Sequence, residues 1–143
     1  MIRDELKRLV ARHLEAENAH RMAETLATLH PECVFEDVAT GEIYNGIDGA
    51  EAYYRMWWDA FQLVVVRDEQ TRSYWVDDEI RITETRFSGR HVGTFMGRSA
   101  THRPIGFRFA VFITFRDGLM AGERFYYDLK GLLDQIDGIN PAG

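Results

Sequence analysis

Four side chains stand out as groups able to move a proton: Asp128, Asp37, His91 and His13. Carboxylates and imidazoles do general acid/base work when an apolar setting brings their pKa towards neutrality. Asp128 follows two apolar runs that read as paired strands. Residues 107–115 are rich in aromatic and β-branched side chains, which predicts a strand buried on both faces. Asp117-Gly118 then supplies a tight type I′ hairpin turn, and residues 120–128 fold back. With those two residues as the loop, Phe115 faces Met120, Val111 faces Arg124, Phe109 faces Tyr126 and Phe107 faces Asp128. This register sets Asp128, Arg124 and Tyr126 against an apolar surface that disfavours the charged carboxylate. Two competing roles stay open: Asp128 caps a closing helix over residues 129–136, or Arg124 holds it ionised.

Asp37 ends a short apolar run before Thr40-Gly41, where it serves as a second carboxylate or as the start of an Asx turn. Two carboxylates in differently polar settings are able to divide acid and base work. His13 falls on the apolar stripe Ile2, Leu6, Leu9, Val10, His13 and Leu14, so it faces the core or a cavity. His91 follows Gly89-Arg90 and is a pocket or a structural residue. Tyr54 and Trp57 share a helical stripe with Ala50 and Phe61. Together with Phe107, Phe109, Arg124 and Tyr126 they form the expected substrate-binding set. His20, His30 and His102 read as surface or loop residues. No spacing resembles His-Glu-x-x-His, and no glycine-rich loop follows a strand and opens a helix, so neither a metal nor a nucleotide cofactor is expected.

The elements that must position these groups follow in order. An amphipathic helix opens the chain, and a second helical stretch over Met22, Leu26 and Leu29 ends at His30-Pro31. Residues 33–38 form a strand. Asp48-Gly49-Ala50-Glu51 is a capping signature for an aromatic helix. Strands are then expected at residues 63–66, 70–76, 79–87 and 93–96, with an irregular stretch inside residues 89–106. Helices first and antiparallel strands after them predict an α+β fold, helices packed on one face of a curved sheet. The 143 residues suit one domain, 1–143, with a core of ordinary size.

A formal net charge of −6, with no cluster of Lys or Arg, gives no electrostatic footprint for nucleic acid or an anionic membrane surface. The single cysteine, Cys33, has no partner for a disulfide and reads as a small core residue. No charged-then-apolar leader opens the chain, and no apolar run approaches the roughly 20 residues of a membrane span. A cytoplasmic location is the expectation.

The order of pieces resembles the NTF2-like cone, and within it the SnoaL-like polyketide cyclase group. The residues that carry the resemblance are Val34-Phe35-Glu36-Asp37, Thr40-Gly41-Glu42, Tyr44-Asn45-Gly46, the stretch Gly89-Arg90-His91-Val92-Gly93-Thr94-Phe95-Met96-Gly97, Phe115-Arg116-Asp117-Gly118, Tyr127-Asp128-Leu129 and Leu132-Leu133-Asp134-Gln135. The resemblance implies an aspartate at the end of the last strand acting as acid/base in an aldol closure, and Asp128 matches that position. The cyclases' assisting histidine on the preceding strand has no counterpart among Ile113, Thr114 and Phe115. Glu36-Asp37 is similar to the segment bearing the general base of ketosteroid isomerases, but their oxyanion Tyr and Asp have no counterpart here, where the corresponding positions fall near His13 and Val111, so the resemblance does not extend to steroid isomerisation. The resemblance also implies a homodimer formed through the outer face of the sheet.

The reading that results is a cofactor-independent acid/base enzyme, of aldol cyclase, isomerase or dehydratase type, acting on a small apolar carbonyl compound in a cone-shaped pocket. The competing reading is a non-catalytic small-molecule-binding or protein-interaction module of the same fold.

Overall fold

The computed structural model describes residues 2–139; the other positions of the expected 1–143 domain lie outside the described residues. Helix α1 (Ile2–Asn18) buries Leu6, Leu9, His13 and Ala16, a three-and-four spacing that lays one stripe on the sheet. His20 turns the chain with φ 56°, and α2 (Met22–Leu26) follows. This second helix is shorter than its apolar spacing predicts. Leu29 leaves it and opens β1 (Leu29–Asp37), because the backbone N–H of Met120 captures the Thr28 carbonyl and draws the segment onto the sheet. Pro31 lies where the β1 ladder shifts register, as a residue without an N–H must.

Strand β2 (Glu42–Asn45) leads into α3 (Gly46–Phe61). Asn45 is the N-cap, so Asp48 falls inside the first turn, where its charge complements the helix dipole instead of forming the expected cap. After β3 (Val64–Val66), β4 (Arg72–Val76) and β5 (Ile80–Arg90), the predicted strand at residues 93–96 is absent. The N–H groups of Val92 and Gly93 both donate to the Ala60 carbonyl at the end of α3, which holds this stretch as a loop. Strands β6 (Pro104–Arg116) and β7 (Leu119–Tyr127) and helix α4 (Leu129–Asp137) complete the order.

The sheet runs β2-β1-β7-β6-β5-β3, with β4 also on β5; β1 and β7 are parallel and the remaining pairs antiparallel. It curls without closing, as the α+β reading expects. Strand β6 is not buried on both faces. Ile105, Phe107, Phe109, Val111 and Ile113 are buried, whereas Gly106 and Arg108 between them and Thr114 after them are exposed, so the strand has one core face. Trp57 of α3 centres the aromatic core, with ring centroids 5.3 Å from Phe95 and 5.6 Å from Tyr127. Among the described residues no helix is long and apolar enough to cross a membrane.

Candidate active site

The closing hairpin decides which side chains enter the cone. Asp117 and Gly118 take φ 53° and 74°, both left-handed, as a type I′ turn requires. Phe115 then pairs with Met120 as the turn dictates, but the next pair is Thr114 with Gly122. Ala121 is therefore an extra residue, a β-bulge, and it moves the rest of β7 by one position. Ile113 faces Glu123, Val111 faces Phe125 and Phe109 faces Tyr127. A shift of one residue exchanges the two faces of a strand.

Three expected site residues are displaced by this bulge. Asp128 is exposed, and its Oδ1 accepts the Gly131 N–H at 2.9 Å as the N-cap of α4, so the capping alternative holds and the pocket position does not. Arg124 lies on the outer face, its guanidinium 4.6 Å over the Phe112 ring and its Nε donating to the Tyr126 hydroxyl at 3.0 Å. Tyr126 is exposed beside it. In their place, Glu123, Phe125 and Tyr127 turn inward.

Two compartments of about 20 Å³ and about 60 Å³ lie between α1, α3 and the sheet. They share Glu17, Phe87, Phe109 and Phe125. Tyr54, Trp57 and Phe107 line the smaller one, and Phe109 lines both. Pockets that enclose drug-sized ligands span roughly 300–1,000 Å³. This cavity therefore admits only a small molecule in the present conformation.

The larger compartment ends on His13, Glu17 and Glu123. The Thr28 hydroxyl donates to the Thr25 carbonyl at 2.7 Å and lies 2.6 Å from His13 Nδ1. Its one proton is already committed, so Nδ1–H must be the donor, and Nε2 is left to face the cavity. There it meets the Tyr54 hydroxyl at 3.0 Å, Glu17 Oε2 at 3.5 Å and Glu123 Oε1 at 3.6 Å. Burial acts to lower the His13 pKa, but Glu17 and Glu123 outweigh it and leave the imidazole above its ordinary value. Glu123 is raised by burial and by Glu17, against the opposing pull of His13. Among the described residues no donor lies within hydrogen-bond distance of its carboxyl. Burial, with the nearby charges of Glu123 and Glu17, raises the Tyr54 pKa, so its hydroxyl stays a neutral donor.

Asp37 is fully buried but lines neither compartment. Its Oδ2 accepts from the hydroxyls of Tyr53 at 2.8 Å and Tyr127 at 2.9 Å, and its Oδ1 accepts the Thr40 N–H at 3.1 Å, one residue beyond the Asx turn expected at Val38 and Ala39. Those two tyrosines form part of the wall of the smaller compartment, and burial followed by the nearby Asp37 raises both their pKa values. His91 is buried outside the cavity. Its Nδ1 accepts the Thr101 N–H at 3.2 Å and its ring packs on Phe61, which pins the 91–103 loop. Among the described residues no three His, Cys, Asp or Glu side chains converge as a metal-holding group.

The sequence reading missed Glu123 and Glu17 as site residues. Glu17 carries a signal, since it follows His13 by one helical turn. Glu123 carries a fainter one: Gly122, a glycine inside a strand, marks the bulge that turns its neighbour inward.

A family model for SnoaL-like polyketide cyclases matches residues 7–136. The chain belongs to this family. Comparison with curated proteins returns no match. Among solved structures, a polyketide cyclase candidate from Xanthomonas campestris pv. campestris superposes with TM-score 0.83 at 19% identity, over 95% of this chain and 99% of that one. TsrD from Streptomyces laurentii gives TM-score 0.78 at 26% identity, covering 95% and 97%. A protein of ketosteroid isomerase-like fold from Catenulispora acidiphila, in complex with trimethylamine, gives 0.73 at 15%, covering 92% and 93%. The SnoaL-like chain thus shares the NTF2-like, ketosteroid isomerase-like fold.

Proposed function

We propose that this chain is a cofactor-independent acid/base enzyme of cyclase or isomerase type, acting on a small, largely apolar carbonyl compound within the cone. The family supports a cyclase- or isomerase-type activity. The observation that carries the reading is the facing pair of His13 Nε2 and the buried Glu123 carboxyl, 3.6 Å apart in a largely apolar cavity. His13 and Glu123 exchange the proton taken from the carbon next to the carbonyl. The neutral Tyr54 hydroxyl donates to the oxygen that gains charge, and the proton returns to carbon in the product. Asp37 acts through the Tyr53 and Tyr127 hydroxyls that it orients.

Deuterium exchange at the α-carbon of small ketones, followed by NMR, tests this role. His13→Gln and Glu123→Gln should each slow exchange by about 10²–10⁴-fold, and Asp128→Ala should leave it unchanged. Full exchange in both of the first two variants overturns the assignment. The small volume of the cavity favours one second reading, a binding module without turnover, whose mark is ligand-induced shifts with no exchange. We further propose that two copies pair through the outer sheet face, where Tyr74 and Tyr126 are exposed; sedimentation of a Tyr74→Glu variant as a monomer is the expected outcome.

A further inference from the structure

The cavity described above is unbalanced in charge. Two carboxylates, Glu17 and Glu123, and one imidazole, His13, border it, and among the described residues no lysine or arginine lines either compartment. With His13 protonated and both carboxylates ionised, the cluster still holds one negative charge inside an apolar wall. Burying an uncompensated charge is costly, so the site either takes up a further proton or receives a cation. Glu123 is 6% exposed and lines the cavity; its Oε1 lies 3.6 Å from His13 Nε2, and among the described residues its carboxyl accepts no hydrogen bond, so its acceptor capacity is free for a ligand. The remaining wall includes the rings of Phe87, Phe109 and Phe125, suited to an alkyl group and to a cation beside them.

We infer that the cone takes a small alkylammonium ion, its N–H groups donating to Glu123 and Glu17 and its alkyl part lying against Phe87, Phe109 and Phe125. A primary ammonium has three donors and no acceptor, which matches a site bordered by carboxylates and by the Tyr54 hydroxyl. Size agrees: an apolar cavity of about 150 Å³ holds benzene, so one of about 60 Å³ beside one of about 20 Å³ suits about half that molecule. The inference rests on the proton-transfer site and narrows its carbonyl compound to one bearing an amine.

Isopropylammonium and isopropanol have the same number of heavy atoms and differ in charge, so they make a matched pair of probes. NMR titration of the full chain at constant ionic strength should show isopropylammonium binding at least tenfold more tightly than isopropanol. Glu123→Gln and, independently, Glu17→Gln should each remove most of that preference. A cation favours ionised Glu123, so binding should also tighten as pH rises. The groups facing Glu123 are His13 and Glu17 from α1, Tyr54 from α3, the Cys33 thiol from β1 and the uncharged Thr83 and Thr85 from β5. Equal binding of the two probes, or a preference unchanged in both variants, overturns the inference. If ketone exchange persists while isopropylammonium fails to bind, only the amine falls; loss of both removes the proton-transfer reading as well.

Discussion

The Thr28 hydroxyl lies 2.6 Å from His13 Nδ1 and gives its own proton to the Thr25 carbonyl. One side chain at the end of α2 thus fixes which nitrogen of a buried imidazole faces the cavity. Thr28→Val keeps the shape and removes the acceptor, leaving a buried N–H unpaired. It should destabilise the protein by about 1–3 kcal/mol. It should also slow ketone exchange, because the imidazole is released to its other tautomer. Urea denaturation and exchange rates measure the two effects separately.

Stability should fall as pH rises from mildly acidic to mildly alkaline. Glu123 holds its proton above the ordinary carboxylate range when folded, and His13 holds its own above the ordinary imidazole value. A raised folded pKa gives stability that is complete below the unfolded pKa and lost as pH climbs through the folded one, at up to about 1.4 kcal/mol per pH unit for each proton. Glu123→Gln cannot ionise. Its unfolding free energy should therefore vary less with pH and exceed that of the parent at alkaline pH, as denaturation across a pH series will read.

The bulge is exposed to a direct test at Gly122, where an added Cβ would lie 2.9 Å from Thr114 Oγ1 and 3.0 Å from the Val34 carbonyl oxygen. Gly122→Ala should cost about 1–3 kcal/mol by overpacking. Deleting Ala121 is harsher. It would aim Arg124, Tyr126 and Asp128 at the core, and a soluble cooperative fold, read by circular dichroism and thermal melting, should be lost.

Asp128 and Asp37 should separate cleanly. Asp128→Ala removes a helix cap and should cost about 1 kcal/mol with exchange intact. Asp37→Ala strips the acceptor from two tyrosine hydroxyls, at about 1–3 kcal/mol for each one left buried without a partner. Denaturation curves of the two variants give the comparison.

Much of the fold is legible in local chemistry. Asp117-Gly118 specifies its turn, the stripe through Leu6, Leu9 and His13 places α1, and the order of helices and strands gives the α+β class. The misreadings arise where distant partners overrule local preference. Leu29 has helical spacing but is captured by β7, and Val92 and Gly93 bond to the end of α3 in place of a neighbouring strand. The site suffers most. Its hairpin register is correct at Phe115 and Met120 and wrong from Gly122 onward, so Tyr126 is read into the place opposite Phe109 that belongs to Tyr127, Asp128 is read as inward, and Glu123 goes unseen.

That hairpin makes the chemistry of the cone a matter of parity. Counted from the turn, alternate positions of the last strand supply the interior, and one supernumerary residue at position 121 moves the inward set from even to odd residue numbers. Relatives matched to this chain column by column would then share letters at Glu123 while pointing them to opposite sides whenever their hairpins differ by one residue. Roles in such a family travel with the count of residues from the turn, and only secondarily with the amino acid found in the column.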